Sequence, residues 1–145
     1  MKRIALFVGI LILLSAGQAT AKRLAVSVGK ANVRSGPGTK HDILWSVGKY
    51  YPLDVLKESG NWYKVRDFED DEGWIHGSLL KKIPSVTVKA PLVNVRKGPG
   101  TTQKVLFQAE KGVSFKRLAK KGGWFKVQHP DGEIGWIHQS LVWGY

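Results

Sequence analysis

Asn32-Val33-Arg34-Ser35-Gly36-Pro37-Gly38-Thr39 returns 62 residues later as Asn94-Val95-Arg96-Lys97-Gly98-Pro99-Gly100-Thr101, with one position of the eight changed. The same shift, without a gap, lays Trp62-Tyr63-Lys64-Val65 on Trp124-Phe125-Lys126-Val127. It also lays Gly73-Trp74-Ile75-His76-Gly77-Ser78-Leu79 on Gly135-Trp136-Ile137-His138-Gln139-Ser140-Leu141. Between residues 22–83 and 84–145, 21 of 62 aligned pairs are identical, so the chain is a duplicated small unit. A unit of this size with no repeated reactive set is expected to bind twice rather than to react, and two weak sites on one chain can act with avidity.

Short runs rich in Val, Trp, Tyr and Phe recur between Gly, Pro, Asn and Asp, and no window holds a helical period, so the class is all-β. The runs predict five strands in each half: Ala25–Val28, Ile43–Val47, Leu53–Glu58, Trp62–Asp67 and Gly73–His76. Their counterparts are Val86–Lys89, Val105–Ala109, Phe115–Ala119, Trp124–His129 and Gly135–His138. Five short strands in about 60 residues suggest a small barrel. A chain of that length buries only about 60% of its unfolded surface, which favours closure and makes the large aromatic side chains valuable. Lys81-Lys82-Ile83-Pro84-Ser85 is the whole connection between the halves, so their relative freedom is expected to be small.

Residues 1–21 read as a secretory signal peptide. Lys2-Arg3 begin it, an apolar run of 11 residues covers Ile4 to Leu14, and Ala19-Thr20-Ala21 is a small-residue cleavage pattern after Ala21. The run is too short to span about 30 Å of hydrocarbon, so no transmembrane segment is expected once the leader is removed, and a periplasmic or secreted location follows. There is no Cys, which excludes disulfides and a thiol nucleophile. The formal charge of +12 is unevenly spread: residues 22–83 carry 11 basic and 8 acidic side chains, residues 84–145 carry 10 and 3. The more basic second half would attract an acidic polymer, whereas an exported chain is a poor candidate for specific nucleic-acid binding.

Alternation along a strand separates the residues that face out. In Trp62-Tyr63-Lys64-Val65 the charged Lys64 must be wet, so Trp62 shares its outer face and Tyr63 and Val65 point inward. Trp124, Phe125, Lys126 and Val127 follow the same pattern. Ile75 and Ile137 are core candidates, which turns Trp74, His76, Trp136 and His138 to the other face. An outward Trp kept in both copies is either a binding platform or a cover for a barrel end. Arg34 and Arg96 offer a planar fork to a ligand carboxylate or to a backbone carbonyl of their own loop.

His76 and His138 lack neighbouring ligands at metal spacing, and no Asp or Glu repeats beside Ser78 and Ser140, so neither a metal centre nor a Ser-His-Asp arrangement is expected. The acidic run Asp67-Phe68-Glu69-Asp70-Asp71-Glu72 reads as a solvated hairpin tip, because it lacks the spacing of a calcium loop. No catalytic residue, cofactor or metal is assigned, and the chain is expected not to be an enzyme.

The blocks Asn-Val-Arg-x-Gly-Pro-Gly-Thr, Trp-(Tyr/Phe)-Lys-Val and Gly-Trp-Ile-His-x-Ser-Leu, in this order and twice over, resemble the bacterial SH3 (SH3b) domain. The resemblance covers residues 22–83 and 84–145 and implies two tandem SH3-like β-barrels behind the leader. It also implies a binding role towards cell-wall peptidoglycan peptides or an envelope protein. By the wider SH3 pattern Trp62 and Trp124 match the groove Trp, while His76 and His138 stand at its Pro position and Leu79 and Leu141 at its Tyr position. Polyproline recognition is therefore not implied. The candidate ligand-binding set is Arg34, Trp62, Trp74, His76 and Leu79 with Arg96, Trp124, Trp136, His138 and Leu141.

Overall fold

A computed structural model describes residues 22–144. The expected leader and its expected cleavage point lie outside the described residues. Seven strands form the first half: β1 (Lys22–Val26), β2 (Lys30–Arg34), β3 (Ile43–Gly48), β4 (Pro52–Ser59), β5 (Trp62–Arg66), β6 (Glu72–His76) and β7 (Leu80–Lys81). The second half repeats them as β8 (Ser85–Val88), β9 (Leu92–Arg96), β10 (Val105–Glu110), β11 (Ser114–Lys121), β12 (Trp124–Gln128), β13 (Ile134–His138) and β14 (Val142–Gly144). All strand pairs are antiparallel, in the orders β3-β2-β6-β5-β4-β1-β7 and β10-β9-β13-β12-β11-β8-β14. A single 3-10 turn, Gly77–Leu79 or Gln139–Leu141, precedes the last strand of each half. Among the described residues no helix is long and apolar enough to cross a membrane.

Each sheet curls around its own core. Val33, Leu53, Val65 and Ile75 are fully buried in the first, and Val95, Phe115, Val127 and Ile137 in the second. Val33, Val65 and Ile75, and their copies Val95, Val127 and Ile137, alternate with half-buried or exposed residues along their strands, whereas Leu53 lies in a run buried on both faces, Pro52 to Val55, and short segments of either kind settle as sheet. The hairpin turns have backbone causes as well: Gly60 sits at φ +57°, and Gly122 and Gly123 at +51° and +83°, a region that a side chain resists. Tyr63 and Phe125 pack against the cores, as the alternation required.

Three expectations need correction. There are seven strands per half rather than five, because Asn32-Val33-Arg34 and its copy are strand residues rather than the start of a loop, and a short closing strand follows the 3-10 turn. The first strands also begin earlier than expected, at Lys22 and Ser85. The acidic tip is not uniformly solvated: Asp67 is 6% exposed. Its Oδ2 accepts from the Tyr51 hydroxyl at 3.0 Å, and its Oδ1 from the amides of Glu69 and Asp71 at 2.9 and 3.1 Å. One carboxylate thus closes the hairpin from inside. Burial first, and then this carboxylate, push the Tyr51 hydroxyl far above its ordinary pKa.

The two halves touch through side chains of both. Lys111 Nζ lies 3.0 Å from Glu69 Oε1 and stands over the Phe68 ring, while the Arg23 guanidinium lies 4.3 Å above the Trp143 ring.

Candidate functional site

β5 opens with Trp62 and β6 ends with His76, and antiparallel register sets the two directly opposite each other. Their rings meet edge to face at 5.3 Å and 85°. Trp124 and His138 repeat this at 5.2 Å and 87°. Directly opposite partners share a face, so Trp62 had no alternative but to lie beside the imidazole.

The imidazole is held from its other side. His76 caps the 3-10 turn: the Ser78 amide donates to Nδ1 at 3.3 Å, and the Ser78 hydroxyl lies 2.6 Å from the same nitrogen. His138 and Ser140 make the same pair of contacts at 3.2 and 2.7 Å. An Nδ1 that accepts from an amide leaves the proton of the neutral ring on Nε2. The repeated Ser two residues after each His is therefore a turn-capping partner. The turn in turn delivers Leu79, or Leu141, beside the Trp–His pair.

The opposite wall comes from β2 and its loop. Arg34 Nη1 donates to the carbonyls of Thr39 and His41 at 3.1 and 2.9 Å, and Arg96 Nη1 to that of Gln103 at 3.0 Å. Of the two roles open to these guanidiniums, each spends a nitrogen on its own Gly-Pro-Gly loop. The Arg34 bond holds Thr39 at the wall, and Thr101 takes the equivalent place in the second barrel. Asn32 accepts from Ser46 at 2.8 Å, and Asn94 from Gln108 at 3.0 Å, so both amides are oriented as well.

The result is one groove per barrel, about 250 Å³ in the first and about 220 Å³ in the second. Lys30, Asn32, Arg34, Thr39, Trp62, His76 and Leu79 line the first; Leu92, Asn94, Arg96, Thr101, Trp124, His138 and Leu141 occupy the equivalent places in the second. Eight of the ten sequence-derived candidates converge here. Trp74 and Trp136 do not. They share the outer face, but register places Trp74 between Lys64 and Arg34, and Trp136 between Lys126 and Arg96, one pleat away from the groove. Sequence reasoning missed Asn32, Thr39 and Lys30 with their copies, although Asn and Thr stood at the two ends of the repeated block itself.

Each groove is amphipathic: an indole and a leucine supply apolar surface, while an imidazole, an amide, a hydroxyl and a guanidinium supply fixed polar contacts. Such a surface suits a short peptide or a similarly mixed polymer. Among the described residues no cluster of His, Cys, Asp or Glu could hold a metal ion. A separate, larger cleft of about 610 Å³ lies at the junction of the barrels, lined by Lys22, Arg23, Lys82 and Arg117 around Leu24, Ile83 and Pro84.

Profiles of the bacterial SH3 domain match residues 29–81 and residues 89–144. A protein of Bacillus subtilis named as an N-acetylmuramoyl-L-alanine amidase, YrvJ, is 28% identical over 128 residues, which is 81% of this chain and 24% of that protein. A protein of Staphylococcus epidermidis named as a cell wall amidase, LytH, is 43% identical over 44 residues, 30% of this chain and 15% of that protein. The chain thus spans a quarter or less of the curated relatives it matches. A solved NlpC/P60 family protein from Bacillus cereus superposes with a TM-score of 0.38 at 16% identity, over 86% of this chain and 56% of that one. The expectation that the chain is not an enzyme does not stand, because the relatives that share its barrels are named as amidases.

Proposed function

We propose, for a chain that belongs to the bacterial SH3 domain family in both of its halves, that its twin grooves hold the peptides of cell-wall peptidoglycan. The division falls between residues 83 and 84, the chain is exported behind residues 1–21, and each barrel contributes one site. In each groove the Trp–His pair grips and the Arg-anchored loop shapes the wall. The observation that carries this reading is that the same six groove residues, Asn, Arg, Thr, Trp, His and Leu, recur at equivalent places in both copies, whereas two-thirds of the aligned positions have diverged. The names of the relatives suggest the polymer: a protein called a cell wall amidase and one called an N-acetylmuramoyl-L-alanine amidase carry matching segments, and barrels that hold the wall would keep such an activity at its substrate.

Purified sacculi test this directly. The chain mixed with sacculi at moderate salt should sediment with them; a chain that stays in the supernatant refutes wall binding.

A second reading has one observation in its favour. The junction cleft gathers Lys22, Lys82 and Arg117 beside Arg23, which is paired with Asp54, and this cationic rim suits an acidic polymer, although only Arg117 comes from the second half, on whose net charge the expectation of polymer binding rested. Retention on a heparin matrix that falls steeply with salt, and that drops further in Lys82→Glu, is the expected result; retention unchanged by that substitution rules the cleft out.

A further inference from the structure

The duplication makes each groove a control for the other. Lys30 in the first is replaced by Leu92 in the second, and Ala31 by Val93; all the other lining positions are identical. Ala31 and Val93 are 2% and 3% exposed and point into their cores, so the surfaces offered to a ligand differ by one side chain. Both side chains are exposed at the groove, Leu92 to 52%. Within the grooves the contrast is therefore Lys30 against Leu92; Glu110, which register places opposite Leu92, lines a separate hollow.

We infer that the two grooves select different ligands: the first takes a peptide bearing a free carboxylate, and the second takes its neutral, amidated counterpart. The inference rests on the proposed groove binding and adds the selectivity. Lys30 is the selecting residue. Its ammonium stands at one end of β2 and the Arg34 guanidinium at the other, so the groove lining offers a carboxylate a second cation that the other groove lacks. Leu92 offers only apolar surface.

The wider charge of the barrels runs the other way, which makes the inference sharp. The second half is the more basic, and its loop carries Lys97 and Lys104 where the first has Ser35 and Asp42. Those lysines do not line the groove, and solvent ions screen exposed charges over about 8 Å at physiological ionic strength. Contact chemistry and overall charge therefore predict opposite preferences.

The test uses the full chain and two synthetic peptides, N-acetyl-Ala-Glu-Ala-amide and N-acetyl-Ala-Gln-Ala-amide, titrated while the indole N–H signals of Trp62 and Trp124 are followed by NMR. A single lysine–carboxylate contact at this exposure is worth roughly threefold to fivefold in affinity. Trp62 should report tighter binding of the Glu peptide by about that factor, and Trp124 tighter or equal binding of the Gln peptide. Lys30→Leu should abolish the preference at Trp62, and Leu92→Lys should create it at Trp124. Both positions are exposed, so folding is not at stake. Equal preferences in the two grooves, or a Glu preference at Trp124 alone, overturn the selectivity while leaving groove binding intact. No response of either indole to either peptide overturns both.

Discussion

Arg34→Ala removes a guanidinium whose Nη1 bridges two carbonyls of the loop that forms one groove wall, those of Thr39 and His41. Each hydrogen bond is worth about 0.5–1.5 kcal/mol net, and exposure puts both towards the low end, so the loop should lose about 1–2 kcal/mol against local opening. Arg96 makes one such bond, to Gln103, and Arg96→Ala should cost its loop about half as much. The loops contain their own reporters. The Ser35 amide donates to Asp42 at 2.9 Å, and the Lys97 amide to Lys104 at 2.8 Å, each closing the base of its loop. In native-state hydrogen exchange the protection of Ser35 should fall about tenfold in Arg34→Ala, with that of Lys97 untouched. The reciprocal variant should give a smaller loss at Lys97. Arg34→Lys should not restore protection, since one ammonium cannot reproduce the planar fork. Unchanged protection of Ser35 in Arg34→Ala would refute the assignment of Arg34 as the loop anchor.

Gly73→Ala and Gly135→Ala should each destabilise their barrel by about 1–3 kcal/mol in urea unfolding, because the added methyl would overlap Val33 Cγ1 or Val95 Cγ1; Gly29→Ala, which meets nothing within 4 Å, should stay within about 0.5 kcal/mol. The raised pKa of Tyr51 sets an alkaline limit. Unfolded Tyr51 ionises near pH 10 while the folded group keeps its proton, so its contribution is intact below about pH 10 and falls above it by up to about 1.4 kcal/mol per pH unit. Tyr51→Phe should lessen that slope between about pH 10 and 11, and an identical slope would deny the burial of the hydroxyl. Lys111→Ala should cost less than about 1 kcal/mol of stability but broaden the distance distribution between spin labels at exposed positions 57 and 120; an unaltered distribution would show that the Glu69 contact does not restrain the barrels.

The repeat and the alternation of Trp62-Tyr63-Lys64-Val65 made the strand class, the inward Val65 and the outward Trp62 readable, because side-chain period depends on neighbours in the chain. What escaped depends on register and closure. Asn32-Val33-Arg34 is only three alternating residues before a Gly-Pro-Gly loop, and nothing local says that it pairs with both β3 and β6. Asp67 sits in a run of acids whose members look alike, and Tyr51, the partner that buries it, lies 16 residues away. Trp74 shares its face with His76, yet the groove is centred at the strand end, and alternation along one strand cannot say where along a sheet a groove falls. Trp62, His76 and Leu79 were placed at the groove by their positions in the SH3 pattern the blocks resemble, and Arg34 was left between two roles until its loop carbonyls were seen. The lining by Lys30 was not legible, since that position differs between the copies.

The central claim is that two grooves on a jointed pair of barrels engage the wall together. Co-sedimentation of the full chain with purified sacculi, compared among the unmodified chain, Trp62→Ala, Trp124→Ala and the double variant, tests it most directly. Each single loss should weaken the apparent affinity by about tenfold or more as avidity is forfeited, and the double variant should fall to background. A double variant that sediments as well as the unmodified chain would contradict the account.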